Sequence, residues 1–192
     1  MQITETSGYS LKGSFTPDLV YSKLWMAREL GQQMTQHNIQ RFPVAYILGS
    51  WYSNASILLR KSGVPIDRII NVDVNNKWLS TGQKLTKLMN LGGIAHMNKD
   101  ANRLDYRQLK RPGLVINTSC NDIEDRGWFD RIPRGTVVVL QGRNRVPAKA
   151  HSFESLEDLY KQYPLRRIWT RGRARLEDPE TDYQRFLIIG LK

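Results

Sequence analysis

The chain has 192 residues and 22.2 kDa, a length that suits one domain with a full-sized core. With 40% apolar and 24% charged residues it is neither a disordered chain, a collagen nor a coiled coil, and no apolar run approaches the ~20 residues that span a bilayer. The net charge is +11, and 14 of the 18 arginines lie in the second half. Arginine makes planar, bidentate contacts with phosphate, so nucleic acid or another polyanion is one reading of this excess and solubility charge is the other.

The single cysteine, Cys120, rules out an internal disulfide or a Cys-rich metal site, and His37, His96 and His151 are too scattered for metal-ligand spacing. Residues 1–14 are polar and carry no apolar signal core. The expectation is an N-terminal extension over 1–14, one domain over 15–192, no membrane, and a reducing, cytoplasmic setting.

In chain order, Thr16-Pro17-Asp18 opens a helix, with a hydroxyl cap, proline in the first turn and an acid beside it. Val20, Leu24, Ala27 and Leu30 mark its apolar side, and Gly31 ends it. Residues 44–48 form an unbroken apolar run that stops at Gly49, the pattern of a parallel strand buried on both faces. A helix over 53–61 follows, then a strand over 68–73, a helix over 77–89 and a strand over 94–97. Residues 114–117 predict a fourth strand, 125–130 a short helix and 136–140 the strongest strand of all. Residues 141–151 read as a basic loop and 155–163 as a helix. The stretches 165–176 and 183–191 predict strands joined by a turn-rich linker, hence an antiparallel pair.

Such alternation is an α/β, doubly wound, mostly parallel sheet of the Rossmann-like kind with an antiparallel C-terminal hairpin. Ligands in such sheets bind at the carboxyl ends of the strands near the topological switch point. The candidates are therefore the four connectors that follow strands one to four.

In the first, Gly49-Ser50-Trp51-Tyr52-Ser53-Asn54, glycine permits close backbone approach, and the helix start behind it offers N–H groups to an anion. The alternative is that Trp51 and Tyr52 fill core space. Asp73, ending strand two, either accepts from both hydroxyls of a ribose or caps the next helix. Asp100, with Ala101 leaving room for a ring, either meets an adenine amine or stands in a solvated loop. Asn117, Ser119, Cys120 and Asp122 follow strand four, where short polar groups face the substrate side; the alternative is a locally capped turn. Cys120 has no His or second Cys near it in sequence and reads more as a buried thiol than as a nucleophile.

These pieces resemble the class I S-adenosylmethionine-dependent methyltransferases, and within them small methyltransferase-like proteins of tailed bacteriophages. The stretches that carry the resemblance are VAYILGSWYSN from Val44, IINVD from Ile69, VINTSCND from Val115, WFDRIPRGTVVVLQGRN from Trp128 and YQRFLIIG from Tyr183. The resemblance implies S-adenosylmethionine as cofactor, with Gly49, Ser50, Trp51, Tyr52 and Ser53 under its methionine, Asp73 on its ribose and Asp100 with Ala101 at its adenine. Asn117 would also bind the cofactor and, together with Ser119, Cys120 and Asp122, would face the methyl acceptor, and the setting would be a host cytoplasm. Two departures stand out. Trp51 and Ser53 occupy positions where the family carries glycine, and no (Asp/Asn)-Pro-Pro-aromatic clamp follows strand four. A methyltransferase acting on nucleic acid or another anionic acceptor is the leading reading. A non-catalytic cofactor-binding module and a nicotinamide-dependent enzyme are the alternatives.

Overall fold

The computed structural model describes residues 10–123, 125–144, 152–177 and 182–192. Seven strands form one sheet in the order β3-β2-β1-β4-β5-β7-β6. These are β1 (Phe42–Leu48), β2 (Ile66–Asp73), β3 (Ile94–Asn98), β4 (Gly113–Asn117), β5 (Val137–Arg143), β6 (Arg167–Glu177) and β7 (Asp182–Leu191). The first five are parallel, and β7 inserts antiparallel between β5 and β6. The sheet matches the sequence expectation, with the hairpin at one edge.

The helices are α1 (Pro17–Gln36), α2 (Asn54–Lys61), α3 (Asn76–Leu88), α4 (Gly127–Asp130) and α5 (Leu156–Gln162). Strands of a doubly wound sheet are covered on both sides, so their side chains alternate between two apolar layers. Ala45 and Ile47 of β1 pack with Met26, Ala27, Leu30 and Met34 of α1 and with Ala55 and Leu59 of α2. Val44, Tyr46 and Leu48 point the other way, into a layer with Trp128 and Phe129 of α4 and Leu159 of α5. The strand order reverses between β1 and β4, which pair in parallel while the chain goes on to β2 on one side and to β5 on the other. The crevice opens there.

Three expectations need correction. Helix α1 runs through Gly31 to Gln36. A glycine inside a helix costs about 1 kcal/mol, and burial of Leu30, Gln33 and Met34 around it outweighs that. Its buried side is also not the one marked by Val20 and Leu24: Leu24 is exposed, while Ser22, Lys23 and Met26 are inside. Strand β5 continues through Gln141 and Gly142 to Arg143, held by β7, so the basic stretch starts later than expected. Arg145, Lys149 and His151 lie outside the described residues. No described helix is long and apolar enough to cross a membrane.

Candidate functional site

The carboxyl ends of β1, β2, β3 and β4 surround a cavity of about 540 Å³. This is within the range of small-molecule sites. Its wall includes Gly49, Trp51, Asp73, Trp78, Asp100, Ala101, Ser119 and Asp122, with Lys23, Arg143 and Arg185 at the far end.

The turn after β1 has an unusual backbone. Gly49, Trp51 and Ser53 all have positive φ, at 57°, 54° and 66°. Left-handed backbone is uncommon for any side-chain-bearing residue, and a strained residue persists only where its surroundings hold it. Here they do. The Trp51 N–H donates to Asp73 Oδ2 at 2.9 Å. Ser53 Oγ meets His96 Nε2 at 2.9 Å and accepts from Asn71 Nδ2 at 3.0 Å, and the Ser56 hydroxyl donates to Asn71. Gly82 lets α3 close onto this turn, since a Cβ there would run into Ser53 Oγ and the Tyr52 carbonyl. Gly49 leaves no more room: a Cβ there would lie 2.7 Å from Ser119 Cβ. The left-handed backbone that glycines would build is present here at Trp51 and Ser53 without them.

Asp73 is almost fully buried. Burial pushes its carboxyl up from the usual value, and hydrogen bonds from the Asn75, Trp51 and Val74 backbone pull the other way. It is not the cap of α3; Asn75 is, accepting from Lys77 N at 3.0 Å and Trp78 N at 3.2 Å. Asp73 Oδ1 accepts from Asn75 N at 2.9 Å. With the Val74 backbone as a third donor, about one of the carboxylate's roughly four lone-pair sites is left for a further donor. Asp100 caps a short turn at Ala101–Arg103, accepting from Asn102 N at 2.9 Å, and lies on the cavity wall with Ala101.

Several expected site residues stand elsewhere. Ser50, Tyr52 and Ser53 are buried behind the turn and do not line the cavity. Ser53 serves the His96–Asn71 network, and Tyr52 packs against Trp78 with ring centroids 6.2 Å apart. Asn117 is wholly buried; its Oδ1 accepts from Ser119 N at 2.8 Å, while its buried Nδ2 has no hydrogen-bond partner. Cys120 is wholly buried, with its Sγ 3.4 Å from the Asn117 carbonyl oxygen. Burial pushes its thiol up to about 12, which suppresses the nucleophilic thiolate. Ser119 and Asp122 remain on the wall; Ser119 Oγ donates to the Gly49 carbonyl at 3.2 Å, tying the first and fourth connectors together.

Sequence reading missed Lys23, Trp78 and Arg185. A lysine on a helix and an arginine in a strand look like solvent-facing charge until packing turns them inward. The one signal was positional: Lys23 precedes the apolar pair Met26 and Ala27 by three and four residues, on the face the helix buries. Among the described residues no cluster of three or more His, Cys, Asp or Glu could hold a metal ion.

No protein-family model matches the chain, and no curated protein matches it. Solved structures do. Magnesium protoporphyrin IX methyltransferase from Synechocystis PCC 6803 with bound SAH superposes with a TM-score of 0.60 at 11% identity, over 96% of this chain and 89% of that one. An S-adenosylmethionine-dependent methyltransferase from Clostridium acetobutylicum gives 0.58 at 14%, over 93% and 94%. A SAM-dependent methyltransferase from Aquifex aeolicus gives 0.60 at 9%, over 93% and 95%. At such identities the likeness is one of fold.

Proposed function

We propose that this chain is an S-adenosylmethionine-dependent methyltransferase whose cofactor occupies the cavity at the ends of β1, β2 and β4. The observation that carries this is the left-handed turn: Trp51 and Ser53 keep a strained backbone, tied down by Asp73 and the His96 network, on the connector that forms the cavity wall at Gly49 and Trp51. Strain of this kind collects at ligand sites. A buried carboxylate held above its normal proton affinity points the same way. The solved structures that share the fold support the reading by analogy.

The residues present fit the group. Asp73 retains acceptor capacity for ribose hydroxyls, Asp100 and Ala101 stand where adenine would lie, and Gly49 and Trp51 form the wall under the methionine. The cofactor supplies a sulfonium-bound methyl that leaves readily to an in-line nucleophile. The chain's part is to orient the acceptor and keep water out, which requires no strong base. Thr118, Ser119, Asp122, Ile123 and Asp125 of the fourth connector line the cavity, and Ser119 and Asp122 are the candidates among them for the acceptor side. The resemblance to small phage proteins extends the proposal to a host-cytoplasm setting.

A second reading, a binding module without turnover, is favoured by one observation: Asn117 and Cys120 are turned away from the cavity. Calorimetry with S-adenosylhomocysteine and with NAD tests the cofactor. The expected result is a dissociation constant between about 1 μM and 1 mM for the former, the usual range of enzyme constants, and no heat from NAD. Absence of S-adenosylhomocysteine binding overturns the proposal. Transfer of radiolabelled methyl to small carboxylates, phosphorylated metabolites or RNA then separates enzyme from binding module.

A further inference from the structure

The cofactor reading leaves one end of the cavity unused. There Lys23 of α1 and Arg185 of β7 are each only 3% exposed, and both line the cavity. Lys23 Nζ donates to Gln141 Oε1 at 3.1 Å, which leaves two of its three protons. Gln141 is itself committed: Ser22 Oγ lies 3.3 Å from the same oxygen, and its Nε2 donates to the Ser22 carbonyl at 3.0 Å. Arg185 Nη2 donates to the Thr118 carbonyl at 2.7 Å, and its buried Nε has no hydrogen-bond partner. Arg143 pairs with Arg185 across β5 and β7 and reaches Asp122 at 3.7 Å.

These three cations are close enough to perturb one another. Burial holds Lys23 well below the ordinary lysine value, and Arg185 and then Arg143 add to that. Burial, followed by Arg143, pushes Arg185 down to about 10. Against them stands Asp122, partly exposed. Asp18 is engaged by the Tyr183 hydroxyl at 2.6 Å, and Asp73 and Asp100 hold backbone N–H groups at the other end. Asp125 is exposed. Among the described residues, then, three basic side chains share one facing carboxylate in a water-poor corner, and the charged form of Lys23 is disfavoured until a further anion joins them. Buried charge is expensive unless a counter-charge completes it.

We propose that Lys23, Arg143 and Arg185 form the pocket for the anionic group, a carboxylate or phosphate, of a small-molecule methyl acceptor. The word acceptor rests on the methyltransferase reading; the anion pocket does not. The backbones of β5 and β7 stand on the other side of β4 from β1 and β2, and the Arg185 guanidinium reaches back from β7 to the Thr118 carbonyl just after β4, so the corner adjoins the cofactor residues at the fourth connector. A terminal carboxylate or phosphate reaches two nearly inaccessible cations, whereas a polymer phosphate, with a sugar on either side, does not.

The test titrates inorganic phosphate and acetate by calorimetry into protein saturated with S-adenosylhomocysteine, using wild type, Lys23→Met and Arg143→Ala. Methionine matches the buried stem of lysine, and Arg143 is the most accessible of the three, so at least one variant keeps the fold. The expected result is saturable anion binding alongside S-adenosylhomocysteine, weakened at least tenfold in both variants, with S-adenosylhomocysteine affinity within about twofold of wild type. Three outcomes overturn the inference. Wild type binds neither anion. Or phosphate competes with S-adenosylhomocysteine while Lys23→Met weakens that ligand but not 5′-methylthioadenosine, which makes the corner the cofactor's own carboxylate site. Or single-stranded RNA binds with an affinity that Lys23→Met abolishes, which makes a polymer the occupant. If phosphate binds in a Lys23-dependent way and S-adenosylhomocysteine does not bind at all, the methyltransferase reading falls and the anion pocket stands.

Discussion

Replacing Asp73 by asparagine separates a ligand-holding carboxylate from a structural one. Both carboxylate oxygens receive backbone N–H groups, from Trp51 and Asn75 at 2.9 Å each. An amide offers one acceptor oxygen, so one N–H loses its partner, a loss of about 1–3 kcal/mol when the group is buried. Working the other way, burial raises the Asp73 pKa, so the native state holds its proton more tightly than the unfolded chain. The ionised carboxylate therefore subtracts stability at neutral pH, and that penalty fades as the pH falls through the raised value toward 3.8. The neutral amide removes the penalty. The two effects oppose, so Asp73→Asn should change stability by about 1 kcal/mol or less, roughly 2–4 °C in Tm for a chain of this size. Ligand binding has no such compensation. Hydrogen bonds from ribose hydroxyls to a charged acceptor are worth about 1.5–3 kcal/mol, so S-adenosylhomocysteine affinity should fall roughly 10- to 100-fold. Calorimetry and a thermal scan on the same sample decide. Affinity within twofold of wild type refutes the ribose role, and a Tm loss above about 10 °C makes Asp73 a structural residue.

Gly49→Ala adds a Cβ 2.7 Å from Ser119 Cβ at a φ of +57°; left-handed backbone costs about 1–2 kcal/mol before any clash, so Tm should drop by at least roughly 2–8 °C and S-adenosylhomocysteine affinity should fall with it. Cys120, wholly buried with its thiol pushed up to about 12, should resist a disulfide reagent such as dithionitrobenzoate at pH 8 and react fully in denaturant; rapid labelling of the native protein contradicts the burial. His96, whose pKa burial lowers, binds its proton less readily folded than unfolded, so stability should be complete above about pH 6.5 and decline as the pH falls below it. His96→Gln should flatten that decline in denaturant melts at pH 5 and 7.5, and an unchanged slope removes His96 as its source.

The order of strands and helices was legible because local signals agree with the final packing. The apolar runs at 44–48 and 136–140 can only be strands covered on both faces, and the turn residues between 177 and 182 only suit a hairpin. Gly49, Asp73 and Asp100 were legible as cavity residues because topology fixes where parallel strands end. Three things waited for tertiary structure. The turn at Trp51 and Ser53 keeps a glycine-like backbone only because Asp73 and Asn71 on β2 and His96 on β3 hold it. Whether a polar residue after β4 faces the cavity or its own turn is settled by competing hydrogen bonds, which took Asn117 inward and left Ser119 and Asp122 outside. And the meeting of Lys23, Arg143 and Arg185 joins a lysine to two arginines more than 100 positions further along, through the packing of α1 over β5 and the antiparallel insertion of β7. Charge is written in the sequence, but its burial is a property of what folds over it, so a buried cation reads the same as a solvated one until the chain has closed around it.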